Sequence, residues 1–265
     1  MAPPDTMVTG TIVIQSHAPD PPAWLRACLD SVAAWAMDAG FAHRVDGDAF
    51  LARVPDDLRA RAHGRTEVVA DLARLDWIAE LLDAGWERVI WLDADVLVFA
   101  PERLTAALAL PAGGYLFGRE VWVQPDAKGR PHARRNLHNA LLAFAPDNPV
   151  LAFYRHAAQR VLGRHDGPPV PQLIGPKLLT ALDNMIQLDA TWAVGMASPL
   201  VVRDLAAGGG PALTCLKQTA PTPPAALNLC ASLASRDSHD PALSDDDLAD
   251  AAAALRRMGD LWLCG

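Results

Sequence analysis

Asp93-Ala94-Asp95 stands inside the run Arg88-Val-Ile-Trp-Leu-Asp-Ala-Asp-Val-Leu-Val-Phe99, at the end of a strongly apolar stretch. On an extended chain, residues two apart point to the same side, so both carboxylates are expected to face one ligand. Open α/β sheets bind ligands at the carboxyl edge of their strands, and a pair of hard oxygen donors there suits Mg²⁺ or Mn²⁺. Such an ion would bridge the carboxylates to a diphosphate and offset charge developing on a leaving phosphate. An acidic strand end is the plain alternative. Apolar residues flank the pair on both sides, however, and unpaired carboxylates in such surroundings are costly.

Other residues have chemistry to offer around this pair. Asp71 and Arg74 lie three apart on one face of an expected helix, where they would meet a ligand or pair with each other. Asn139 carries both an amide donor and an acceptor for a ligand hydroxyl, or else caps a strand-end turn. Gly175-Pro176 opens a helix whose free N–H groups suit an anion or hydroxyl, and Lys177 beside it is a candidate phosphate partner. Five tryptophans, Trp24, Trp35, Trp77, Trp86 and Trp91, fall on expected core faces. Trp122 and Trp192 have side chains that suit either packing or a ligand face, and neither carries a role here.

The elements that must position these groups follow from periodicity. Thr11–Ser16 is a β-branched run before the Pro-rich turn 18–22, hence a first strand. Leu25, Cys28, Leu29, Val32, Trp35 and Ala36 form the apolar stripe of a helix ending near Gly40, and a second strand follows over Ala42–Val45. Helical spacing returns over Thr66–Leu82. Arg88–Phe99 is too apolar on both sides for an edge and reads as one central strand. Strands alternating with helices predict an α/β sheet with right-handed crossovers. Downstream, Gly114–Val123 reads as a strand pair, Gln124–Arg135 as an exposed polar loop with basic residues, and Ala140–Phe144 as a buried strand. A helix is expected over Pro149–Leu162 and a Gly/Pro-rich flexible loop over 205–226. Ser244-Asp-Asp-Asp247 then caps a final helix through Ala251–Met258.

Composition bounds the function. The chain has 265 residues, 51% hydrophobic and 20% charged, which excludes wholesale disorder and suits one large domain over 1–265. With 23 basic and 31 acidic residues the net charge is −8, so the surface repels phosphate backbones and nucleic acid is not an expected partner. The cysteines, Cys28, Cys215, Cys230 and Cys264, have no C-x-x-C spacing and suggest neither a zinc site nor a disulfide framework. No leader-like amino terminus and no run of about 18 apolar residues is present, so a cytoplasmic location without a transmembrane segment is expected.

The segment Glu87–Phe99 resembles the Asp-x-Asp segment of GT-A glycosyltransferases, especially the retaining family 8 enzymes. Asp71-Leu-Ala-Arg74 is similar to the Asp-x-x-Arg helix of family 32 enzymes and the glucosylating toxins, whose Asp and Arg contact the donor sugar and its phosphates. His138-Asn-Ala-Leu-Leu-Ala-Phe-Ala-Pro146 resembles the family 32 Asn segment, and Ile174-Gly-Pro-Lys-Leu-Leu-Thr180 is similar to its helix start. Gln15-Ser16 sits where such enzymes begin their nucleotide pocket. The resemblance covers roughly residues 10–185, in order.

It implies a GT-A type single domain, α/β, with a Rossmann-like mixed central sheet flanked by helices. Residues 10–110 would form the nucleotide-sugar half and 111–265 the acceptor half. The implied activity is metal-dependent, retaining transfer of a sugar from a nucleoside diphosphate sugar, a UDP-sugar before a GDP-sugar, to an acceptor hydroxyl. Donor contacts would come from Gln15, Ser16, Asp71, Arg74, Asp93, Asn139, Gly175, Pro176 and Lys177. Mn²⁺ or Mg²⁺ would sit on Asp93 and Asp95, and no catalytic base is named. The carboxy-terminal His-x-x-Gly-x-x-Lys-Pro-Trp motif of family 8 is absent, so His239 becomes the candidate third metal ligand, against an ordinary loop histidine. Two rival readings stand beside this one. One is a haloacid dehalogenase-type phosphatase with Asp93 as nucleophile; the other is a non-catalytic GT-A-like protein that binds sugar nucleotides.

Overall fold

The structure is a computed structural model that describes residues 10–230 and 243–259. Its centre is a mixed six-stranded sheet. Strands β1 (Thr11–Ser16), β2 (Ala42–Asp46) and β3 (Arg88–Leu92) are mutually parallel, linked by helix α1 (Ala23–Asp38) and, after the short helix α2 (Asp56–Arg61), by α3 (Thr66–Asp83). Helix α4 (Pro101–Ala107) precedes the long strands β5 (Tyr115–Pro125) and β6 (Pro131–Phe144). Strand β6 runs antiparallel to β3 and to β5, and β7 (Ala190–Thr191) closes the order β2-β1-β3-β6-β5-β7.

Helices cover both faces, and alternation along the strands divides the core accordingly. Val89 and Trp91 of β3 join a cluster with Ile12, Ile14, Leu72, Trp77, Leu142, Phe144 and Tyr154. Ile90 and Leu92 join the opposite cluster with Val13, Val32, Trp35, Leu141 and Ala143. A strand buried on both faces has no polar side to show, which is why its sequence is apolar throughout.

The run Arg88–Phe99 is not one strand. The central sheet keeps β3 to Leu92, and after a turn Val96–Val98 forms β4 in a second, three-stranded sheet with β8 (Val194–Met196) and β9 (Ala226–Asn228). Both halves are buried, so hydropathy does not distinguish one long strand from two.

Three other expectations change. Gly114–Val123 is one continuous strand, interrupted only by a bulge between Phe117 and Gly118, and not a pair. Gln124–Arg135 is a β-hairpin rather than a loop. Its turn is made by Asp126, whose Oδ1 accepts from the N–H groups of Lys128 and Arg130, with Gly129 in the left-handed region. Buried Val121 and Val123 tie the hairpin to one core cluster and Leu137 ties it to the other. The Gly/Pro-rich stretch 205–226 holds helix α8 (Pro211–Thr219), which follows α7 (Pro199–Ala206). Asp204 accepts from the N–H groups of Ala212 and Leu213 at the start of α8, and Leu213 and Leu216 bury its inner face. Helices α5 (Pro149–Arg164) and α6 (Pro176–Ile186) flank the sheet. Helix α9 (Asp245–Met258) begins with a reciprocal cap between Ser244 and Asp247, as its sequence predicts. Among the described residues, no helix is long and apolar enough to cross a membrane.

Candidate active site

The chain turns at Asp93 because it must leave one sheet for another. Asp93 N–H still donates to Ala140 O at 3.0 Å, the last bond of the β3–β6 ladder, and Val96 N–H donates back to Asp93 O at 3.1 Å. Two further bonds anchor this four-residue turn. Gln15 Nε2 donates to Asp93 O at 3.2 Å, and Leu229 N–H donates to Asp95 O at 2.9 Å. Gln15 is itself fully buried, its Oε1 3.0 Å from His43 Nε2. The two carboxylates therefore stand on a turn, not along an extended strand.

Each oxygen of Asp93 has a separate environment. Oδ1 accepts from Arg74 Nη1 at 2.8 Å and from Trp91 Nε1 at 2.7 Å. Oδ2 is 3.5 Å from Asn228 Nδ2, which lies 2.7 Å from Asp95 Oδ1. Cys230 N–H donates to Asn228 Oδ1 at 2.6 Å, so the amide is oriented with its nitrogen toward the carboxylates. One neutral amide nitrogen thus reaches an oxygen of each carboxylate. Carboxylate oxygens are hard donors, the type that Mg²⁺ or Mn²⁺ takes. Among the described residues no group of three or more His, Cys, Asp and Glu could hold a metal, and His239 lies outside them.

Beneath this turn is a buried polar frame. Arg74, 7% exposed, holds its Cζ over the Trp91 ring, 4.8 Å from the centroid, donates to Asn139 O at 2.8 Å and pairs with Asp71 Oδ1 at 3.1 Å. Asn139 Nδ2 also donates to that Asp71 oxygen, at 2.7 Å. Burial pulls the guanidinium pKa down, but Asp93 and Asp71 outweigh it and the net direction is up. Burial pushes the Asp71 carboxyl up to about 6, opposed by Arg74 and Asn139. The residue at 175 must be small: a Cβ there would sit 2.8 Å from Asn139 Nδ2 and 2.8 Å from Asp71 Oδ2. Glycine lets the start of α6 close over the frame.

Above the turn lies a cleft of about 650 Å³, walled by α6 and the β5–β6 hairpin. Its charged lining is Glu67, Asp93, Asp95 and Glu120 against Lys177. That field attracts cations and repels anions. Glu120, 6% exposed, is pushed up to about 7 by burial, with Asn136 Nδ2 at 3.2 Å pulling the other way. Near the base His138 is buried and neutral. Its Nδ1 accepts from Ala140 N–H and its Nε2 donates to Val194 O, while burial pulls its pKa down to about 4.

Of the residues expected at the site, Asp93, Asp95, Asn139, Pro176 and Lys177 line the cleft. Gln15, Asp71, Arg74 and Gly175 are buried in the frame that holds them. Ser16 ends β1 beside Asp46 of β2. Asn228 and Glu120 carry no motif and were not anticipated. The one available signal was Arg119-Glu120, two charged residues inside an otherwise apolar run over Tyr115–Val123.

No protein-family model matches the chain, and no curated protein does. A solved structure described as a glycosyltransferase involved in the glycosylation of the major capsid of PBCV-1 is similar at 10% identity. The match covers 93% of this chain and 98% of that one, with a TM-score of 0.47.

Proposed function

We propose that the protein is a metal-dependent glycosyltransferase that moves a sugar from a nucleoside diphosphate sugar to an acceptor hydroxyl. The observation that carries this reading is that Asp93 Oδ2 and Asp95 Oδ1 share one neighbour, Asn228 Nδ2, in a cleft whose lining has more acidic than basic groups. Acidic groups outnumber the one lysine in this lining, so a divalent cation held by the Asp93–Asp95 pair would offset the charge that opposes a diphosphate.

Asp93 and Asp95 would hold Mn²⁺ or Mg²⁺, which when bound supplies Lewis-acid stabilisation of a departing diphosphate. The chain's own residues do the rest. Arg74 and Trp91 occupy Asp93 Oδ1, which leaves Oδ2 as the oxygen directed at the cleft. Arg74 acts through Asp93 and Asn139 as a positioning residue. Lys177, on the first turn of α6, adds a positive charge where phosphate oxygens would lie, beside a helix amino terminus of the same sign. Asn139 faces the cleft while its amide is braced by Asp71. A uridine donor and retention of configuration belong to the same reading, supported by the resemblance of Glu87–Phe99 and Asp71–Arg74 to family 8 and family 32 segments.

The test is release of nucleoside diphosphate from UDP-, GDP- and dTDP-sugars with and without Mn²⁺. Mn²⁺-dependent release from one donor, abolished in Asp95→Ala, supports the reading. Hydrolysis of a generic phosphomonoester that Asp93→Asn abolishes, with no release from any sugar nucleotide, sinks it in favour of a phosphatase.

A further inference from the structure

Glu120 is a buried acid that the proposed donor chemistry does not use. Among the described residues its hydrogen-bond partner is Asn136, a neutral amide, and no basic side chain pairs with it, yet it lies at a cleft wall. An ionisable group held 94% out of water with one neutral partner is expensive, and such a cost is kept where a ligand completes the site. Its surroundings indicate which ligand.

The register of the hairpin puts Glu120 opposite Asn136 and Trp122 opposite Arg134. Residues two apart on a strand share a face, so Trp122 follows Glu120 outward by about 7 Å on the same wall. Helix α6 packs against β6, where Thr180 Oγ1 accepts from Leu137 N–H, and Thr180 and Asn184, about one turn apart, also line the cleft. The cleft therefore has two ends. At one, Ala140 of β6 bonds Asp93; Asn136, paired with Glu120, lies four residues along β6 toward the other, and Arg134, paired with Trp122, two residues beyond.

A carboxylate beside an amide accepts from one hydroxyl and donates to the next, which matches a vicinal diol. An indole face packs on the C–H face of a pyranose ring, and the half-buried Trp122 has one to offer. We propose that Glu120, Asn136 and Trp122 form a saccharide subsite, so that the acceptor is itself a sugar, with Glu120 taking the hydrogen bond of a ring hydroxyl. The inference rests on the glycosyltransferase reading only for the word acceptor; binding of a sugar at this wall stands or falls separately.

Saturation-transfer NMR on the full chain with the methyl glycosides of glucose, galactose, mannose and N-acetylglucosamine tests it, alongside melting temperatures with Mn²⁺ and nucleoside diphosphates. At least one glycoside should receive saturation. The signal should vanish in Trp122→Ala, survive in Trp122→Phe, fall about fivefold or more in Glu120→Gln and persist in Asp95→Asn. Glu120→Gln should keep the nucleotide-induced shift that Asp95→Asn loses. No glycoside binding, or equal binding in both Trp122 variants and Glu120→Gln, overturns the subsite. Glycoside binding that depends on Trp122 without any nucleotide shift overturns the donor reading and leaves the subsite standing.

Discussion

Arg74 Nη1 lies 2.8 Å from Asp93 Oδ1, a bond that joins helix α3 to the turn after β3 across 19 residues of sequence. The same guanidinium pairs with Asp71, so one buried cation serves two carboxylates. Removing one member of such a group leaves charge uncompensated in a low-dielectric interior. Arg74→Met should destabilise the protein by roughly 3–5 kcal/mol in urea denaturation, and Asp71→Asn added to it should recover part of that loss. Additive losses would mean that the frame is not coupled.

Glu120 should make stability fall as pH rises. Its folded-state pKa is raised to about 7, above the ordinary value of 4.5, so between these the folded state binds more protons than the unfolded one. Stability is full near pH 4.5 and declines as pH passes through 7. Glu120→Gln removes that penalty, so the variant should match wild type near pH 4.5 and exceed it by roughly 2–3 kcal/mol at pH 8. Chemical denaturation at the two pH values reads this difference. A variant that is less stable at pH 8 would contradict it.

The bulge at Gly118 exists to pass the His138 ring. A Cβ at this position would lie 2.1 Å from His138 Cε1, while one at Gly163 in α5 meets nothing within 4 Å. Gly118→Ala should cost about 3 kcal/mol and lower the melting temperature by several degrees. Gly163→Ala should stabilise the helix by about 0.5–1 kcal/mol. Equal effects at the two sites would remove the steric account.

Much of this was readable in advance for a physical reason. The central strand, the helix carrying Asp71 and Arg74, the cap at Ser244 and the acidic pair all depend on local periodicity or short spacing, which a sequence displays directly. The break between Leu92 and Val96 does not, because both flanks are buried in different sheets and look alike. The hairpin was hidden by its polar face, and α8 by the glycines and prolines that bracket it. Asn228 is 133 residues from Asp95 and belongs to no pattern; only pairing of β9 with β4 brings it to the carboxylates.

Asn228 offers a sharper probe of the turn than either aspartate. Replacing its amide with a carboxylate sets three negative groups around one point. Asn228→Asp should lose about 1–3 kcal/mol in a metal chelator and regain it on addition of Mn²⁺. Denaturation with and without the metal checks this, and a variant indifferent to Mn²⁺ would contradict the proposed ion position.

The most direct test of the central claim is the melting temperature of wild type and Asp95→Ala against UDP, GDP and dTDP, each with and without Mn²⁺. A ligand that binds only the folded state must raise it. The account predicts a rise from one nucleoside diphosphate that requires Mn²⁺ and disappears in Asp95→Ala. A rise that is independent of Mn²⁺, or equal in the variant, would contradict the assignment of Asp93 and Asp95 as the site where cation and diphosphate meet.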